Sequence, residues 1–324
     1  MNYIDITQQK IIDARDLHLK YLRYVIKKKL NGKSFNEPKP HPSIKTIQIV
    51  PRIHSSVKAF LNNDKNLEKV LIGTPEDLNQ IKSTFKTKKQ IESIKRILNY
   101  DTWIDYSNKR TYNFYNAYDL AKSLDIPTCV YCNRIYTKTV ISISGQKITR
   151  PTFDHWFPKS LYPLLSISFY NLIPSCTVCN SGVKGSNPFE LNTHFHPYHK
   201  SMVDDEKINF KFSYDHKDYS SFKFKIINKN DFSENSTDAF KLKEIYETHE
   251  DEITDLRRLK DVYSDSYLQM LKDNILKNTM ISDEEIYRLA FGTDIDEAKF
   301  DRRPLSKMKK DILEELGILK HLKK

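Results

Sequence analysis

Between Cys129 and Lys184 the chain sets out Cys129-x-x-Cys132, then Asp154-His155, then Asn171, then Cys176-x-x-Cys179-Asn180 and Lys184. The protein has four cysteines, and all of them fall in these two pairs. Each Cys-x-x-Cys turn aims two thiolates at one point, so two such turns together describe a tetrahedral zinc site. The 43 residues between the pairs are no obstacle, because closure cost rises only logarithmically with loop length. Buried free thiols or a redox Cys-x-x-Cys are the other readings. Thioredoxin-type chemistry needs the motif to open a helix of a βαβ unit, and the pattern around neither pair predicts one. A zinc ion held by four thiolates has no open position, so such a centre staples the chain and carries no reaction. A zinc deaminase would need His-x-Glu upstream, and this chain has Asp154-His155-Trp156.

The chemistry therefore moves to what the pairs bracket. Adjacent Asp and His at a strand end point to opposite sides of the backbone, so one can bind a divalent cation while the other takes a proton. Asn180, expected to open a helix just after the second pair, offers a second hard oxygen ligand. Asn171 could hydrogen-bond the backbone around His155 and fix that loop. Lys159 and Lys184 could neutralise flanking phosphates, although an exposed lysine is often merely solvated. Alone, an Asp-His dipeptide or an Asn is an ordinary event; the combination at these offsets is not.

Phe153-Asp154-His155-Trp156-Phe157-Pro158-Lys159-Ser160, Asn171-Leu172-Ile173-Pro174-Ser175-Cys176-Thr177-Val178-Cys179-Asn180 and Lys184-Gly185 resemble HNH endonucleases of the ββα-metal fold, in an H-N-N variant. The resemblance implies a ββα core, His155 as general base, Asp154 and Asn180 as ligands of a catalytic Mg²⁺ or Mn²⁺, and Asn171 as the loop-orienting residue. Shorter matches at Asn116-Ala117-Tyr118, Tyr131-Cys132-Asn133-Arg134, His196-Pro197-Tyr198 and Arg303-Pro304-Leu305-Ser306-Lys307 resemble HNH nucleases of bacterial anti-phage systems of the Septu-type and retron-linked kind. That resemblance implies an ATPase partner.

The elements that must position these residues predict an α+β chain in three stretches. Residues 1–115 read as a basic, mainly helical region, 116–200 as the zinc-stapled module, and 201–324 as short strands followed by helices. Helices are expected over Asp13–Leu30, from Thr74 onward, over Lys88–Leu98 and over Ala117–Leu124. A hairpin is expected from Ile135 to Phe153, delivering Asp154-His155 at its end. Strands over Lys207–Phe212 and Phe222–Ile227, a long charged helix from Asp238 to Leu276, and helices near Asp283–Phe291 and Leu305–Leu316 complete the chain.

Net charge is +11, but it is uneven. Residues 1–60 hold 12 Lys/Arg against 4 Asp/Glu, whereas residues 201–324 hold 23 against 27. The basic surplus suits a polyanion, and the acidic end suits a protein partner. The Lys-rich helix at Asp13–Leu30 could track phosphates or form a solvated face. Tyr106, Tyr112, Phe114, Tyr115 and Tyr118 could stack on bases, with helix packing as the blander reading. His194, His196 and His199 could add a metal ligand or cap a loop. With no apolar run of membrane-spanning length and no signal core, a cytoplasmic protein without a membrane partner is expected. The functional expectation is DNA hydrolysis. The competing expectations are RNA hydrolysis and a catalytically silent zinc module that binds nucleic acid or protein.

Overall fold

The computed structural model describes residues 1–42, 44–105, 114–216, 222–262, 270 and 282–319. Within them, helices combine with three two-stranded antiparallel ribbons, an α+β arrangement. None of the described helices is long and apolar enough to cross a membrane.

The helix α1, Gln9–Asn31, lies against α3, Asp64–Ile72, and α7, Ala117–Leu124. Four basic residues of its second half are engaged by the protein, while Lys20 stays exposed. Lys27 pairs with Asp64 at 2.9 Å, and the Lys29 ammonium donates to the Ile97 carbonyl at 2.7 Å. Lys28 donates to the Phe35 carbonyl, and Arg23 forms a two-pronged contact with Glu37. These four cations close carbonyls and carboxylates of the protein, so this part of α1 is not a phosphate track. His18 is fully buried in the same helix. Its Nδ1 lies 2.9 Å from the Tyr115 hydroxyl and its Nε2 lies 2.7 Å from the Ile167 carbonyl. Because a carbonyl can only accept, Nε2 carries the proton and Nδ1 accepts from the tyrosine.

Capping chemistry fixes the next helices where the sequence places them. Thr74 and Asp77 form a capping box at α4, Pro75–Ile81; Thr87 and Gln90 do so at α5, Lys88–Leu98; Asn116 and Asp119 do so at α7. Asn99 is left-handed (φ 43°), ending α5 and capping α6, Tyr100–Ile104, in one residue. That corner sets Tyr100 beside the catalytic candidates. Tyr106 and Tyr112 lie outside the described residues. Tyr115 stacks on Tyr21 at 5.3 Å and, with Tyr118, belongs to the buried core, while Phe114 stacks on His41.

The long hairpin expected from Ile135 to Phe153 is not formed as such. Only β1, Val140–Ile141, and β2, Lys147–Thr149, pair with each other. Pro151 lacks an N–H and separates them from β3, Thr152–His155, which pairs instead with β4, Leu172–Ser175. All four residues of β4 are buried, so its sequence lacks the alternation that announces a half-exposed strand. Register sets Asp154 opposite Ile173 and His155 opposite Leu172. A helical turn over Val178–Lys184 follows; it starts ahead of Cys179, earlier than the sequence suggests.

In the last third, β5, Phe210–His216, pairs with β6, Phe222–Asn228. The charged helix expected from Asp238 onward, with one break allowed, is instead the end of α8, Asp231–Ala239, then α9, Leu242–Glu247, and α10, Glu250–Val262. The break falls where Phe240 stacks on Tyr131 at 4.0 Å and Lys241 adopts φ 49°. Residues 263–269 and 271–276 of that expected helix lie outside the described ones. The closing helices, α11, Asp283–Phe291, and α12, Ser306–Glu315, match the sequence closely.

Burial lowers the pKa of His18 from 6.5 to about 4. The folded state resists protonation that the unfolded chain accepts, so stability is full above pH 6.5 and falls as the pH drops toward 4. At pH 5 this one group is expected to cost about 2 kcal/mol. Urea midpoints at pH 7.5 and pH 5 check it: the acid-induced drop should be smaller by about that amount in His18→Gln.

Candidate active site and metal centre

The two Cys-x-x-Cys turns meet. All four thiols are buried and free, and their sulfur atoms lie within 4.8 Å of one another, Cys132 and Cys176 at 4.0 Å. A zinc ion with bonds of about 2.3 Å separates tetrahedral sulfurs by about 3.8 Å, so the spacing fits a metal and is too long for a Cys132–Cys176 disulfide. Burial pushes the Cys129 thiol well up, while a hydrogen bond from Cys129 pulls Cys132 down. Four thiols this close cannot all ionise without a cation to offset them. Among the described residues no other cluster of three or more His, Cys, Asp or Glu side chains is close enough to share an ion.

The first turn is held from the far end of the chain. Asn133 sits at φ 49°, and its amide donates to the Phe300 carbonyl at 2.7 Å, to the Arg303 carbonyl at 3.2 Å and to the Thr128 hydroxyl. Its own carbonyl accepts from Leu305 N, and the Tyr246 hydroxyl donates to the Cys132 carbonyl. The short motifs around Tyr131 and Arg303, far apart in sequence, are therefore two sides of one contact.

On β3, Asp154 is almost fully buried and both its oxygens are engaged. Oδ1 accepts from the Lys184 ammonium at 3.2 Å, and Oδ2 accepts from the Tyr131 hydroxyl at 2.6 Å. Lys184, expected at a substrate phosphate, is itself buried and also donates to the His155 carbonyl at 2.8 Å. Burial pushes the Asp154 carboxyl up and the Lys184 ammonium down, and their mutual attraction opposes both shifts. Each carboxylate oxygen keeps a second acceptor position, so Asp154 fits a hard cation by donor type. Asn180 is half-buried, and its side-chain amide has no protein partner among the described residues, leaving its oxygen available.

His155 makes one hydrogen bond through its ring: Nε2 donates to the Ser166 carbonyl at 2.8 Å. The proton is thereby assigned to Nε2, and the lone pair to Nδ1. Tyr100 meets the ring edge-on at 4.5 Å. Burial lowers the His155 pKa to about 4, with Lys159 and Lys184 adding to the effect. Asn171 takes the loop-fixing role through Phe157 and Leu165, not through His155 itself. Its Oδ1 accepts from Phe157 N at 2.7 Å, and its Nδ2 donates to the carbonyls of Phe157 and Leu165. Leu165, Ser166 and Ile167 thus each offer a carbonyl to a different side chain: Asn171, His155 and His18. Leaving one such buried group unpaired costs about 1–3 kcal/mol.

Lys159 lies 4.4 Å from the Tyr100 ring and pairs with exposed Asp101 at 2.9 Å, a contact of little strength in water. The histidines after the module are packing residues. His194 stacks on Phe189 at 4.3 Å, His196 accepts from Tyr198 N while packing on Trp156, and His199 pairs with Glu76. Tyr100 and the Ser166 carbonyl had no signal of their own in the sequence, and the motif that contains Tyr131 gave no hint of its contact with Asp154. Only Tyr131, lodged between two cysteines, sat where one could have been sought. No protein family, no curated protein and no solved structure matches this chain.

Replacing a ligand tests the centre directly. Metal analysis is expected to find zinc bound to the wild type and lost in Cys176→Ser, with a markedly lower thermal midpoint, because binding of a structural metal is part of the folding free energy. A Cys176→Ser protein that keeps both metal and midpoint would mean that the four sulfurs do not form the site.

Proposed function

We propose that the protein is a metal-dependent endonuclease of the HNH type that hydrolyses DNA. In this reading Cys129, Cys132, Cys176 and Cys179 hold a structural Zn²⁺, and Asp154 and Asn180 hold a catalytic Mg²⁺ or Mn²⁺. The observation that carries it is the state of His155: Nε2 is committed to the Ser166 carbonyl, and Nδ1 has no protein partner among the described residues. A neutral imidazole with a free, oriented lone pair is what a general base requires.

His155 Nδ1 takes a proton from water as the water oxygen bonds to phosphorus and the bond to the 3′ oxygen breaks. Asp154 and Asn180 would hold a hard cation, which when bound would supply Lewis-acid stabilisation of charge on the phosphate and the departing oxygen. Asn171 keeps the loop carrying Phe157 and Leu165 in place, and through it the Ser166 carbonyl that orients His155. Lys159, exposed at the rim, is suited to a flanking phosphate. Lys184, engaged with Asp154, acts on that carboxylate and not on substrate.

One observation favours the second reading, a silent zinc module that binds nucleic acid or protein: Asp154 is already satisfied by Lys184 and Tyr131. The resemblance to anti-phage nucleases extends the proposal to a defence effector acting with an ATPase, a role that the acidic surplus of residues 201–324 supports.

Incubation of purified protein with plasmid DNA and with RNA, in Mg²⁺ or Mn²⁺ and with or without EDTA, separates these readings. Metal-dependent DNA cleavage is expected, and His155→Ala is expected to slow it by about 10²–10⁴-fold while keeping its zinc. Cleavage of RNA alone would move the substrate. No cleavage of either, even with a partner ATPase added, would leave the silent module.

A further inference from the structure

Arg150 stands at the root of the β1–β2 hairpin and is the one arginine of this face that the reaction above does not use. Its guanidinium lies 5.4 Å from the Tyr118 ring centroid and 5.8 Å from that of Phe153. Nη1 donates to the Pro151 carbonyl at 2.6 Å, and neither Nε nor Nη2 has an acceptor among the described residues. Arg15, Arg23, Arg288, Arg302 and Arg303 each lie beside a carboxylate; among the described residues Arg150 does not.

A half-buried guanidinium without a counter-charge is a costly arrangement, and burial indeed pulls its pKa down, with Tyr100 opposing. The stretch of chain that carries it is basic in sequence, with Asp119 of α7 close enough to act on Lys147. From Ile126 to Phe153 the chain carries Arg134, Lys138, Lys147 and Arg150 and no Asp or Glu. The Lys147 ammonium lies 5.2 Å from the same Tyr118 ring. Phe153, one of the two rings beside Arg150, lies two residues ahead of His155 on β3, and the Tyr100 edge meets the His155 ring. An unpaired planar fork of donors, fixed between two aromatic rings, matches the geometry of a phosphodiester anion.

We propose that Arg150 binds a backbone phosphate of the nucleic-acid substrate adjacent to the scissile one, aligning the strand across Tyr100 and His155. The inference rests on the nuclease reading and adds to it a binding residue drawn from outside the Asp154–Lys184 segment. Lys147, whose ammonium lies over the same Tyr118 ring, adds a second positive charge beside it.

The test is equilibrium binding of a fluorescent DNA duplex by the His155→Ala protein in Mg²⁺, over a range of KCl, with Arg150 intact, as Arg150→Met and as Arg150→Lys. Removing one phosphate contact is expected to lower the slope of log affinity against log salt by about one and to weaken binding roughly tenfold at low salt. Arg150→Lys should recover the slope but only part of the affinity, because it restores the charge without the fork. A merely structural arginine would change the thermal midpoint or zinc content and leave the slope alone. Arg150→Met and Arg150→Lys slopes equal to that of the intact arginine, with binding retained, overturn the assignment of Arg150 and leave the nuclease reading standing. A His155→Ala protein that binds no duplex, single-stranded DNA or RNA overturns both.

Discussion

Four sulfur atoms within 4.8 Å of one another join two turns that lie 43 residues apart, and the rest of the site hangs from that junction. A cross-link closing a loop of this length removes about 4 kcal/mol of unfolded-chain entropy by the usual chain-closure argument. The gain is local in a useful way. The closed loop contains β3, β4 and the clamped carbonyls of Leu165, Ser166 and Ile167, so the residues that aim His155 are ordered by the same event. Asn180 follows the last sulfur directly, which ties its position to the metal centre through a single peptide bond.

Within that loop the polar groups are tightly committed. Asp154 and Lys184 form a buried ion pair, and such pairs often contribute little net stability because desolvation offsets the attraction. What the pair provides is specificity. Lys184 reaches both the Asp154 carboxylate and the His155 carbonyl, which docks the helical turn Val178–Lys184 against β3 in one register. Tyr131 repeats the lesson from the other knuckle, with its hydroxyl on Asp154 and its ring on Phe240.

Much of this was legible in the sequence, and the parts that were not share a cause. Helices bounded by capping boxes, as at Thr74, Thr87 and Asn116, were readable because the signal is local. The cysteine pairs were readable because thiols at that spacing have few other uses. β4 was missed because a strand buried on both faces has no alternation, and a proline within it points the other way. The phosphate role given to Lys184 was a charge argument. Charge says where a side chain would be content in water, not whether a distant carboxylate or carbonyl will claim it. Tyr100 and Ser166 carry their roles through a ring edge and a backbone oxygen, neither of which residue identity announces. The HNH reading rests on the residue pattern and the geometry of His155.

The grip on Asn133 has a consequence in time. Its amide and carbonyl are satisfied by Phe300, Arg303 and Leu305, about 170 residues later in the chain. At ordinary synthesis rates that interval is on the order of 10–30 s. Throughout it the first knuckle exists without the backbone partners that hold Asn133 in its left-handed turn, so its finished shape must wait until those residues have been made. A chain of this design would be born with its metal-binding residues already made and its scaffold still open, a built-in delay between being synthesised and being assembled.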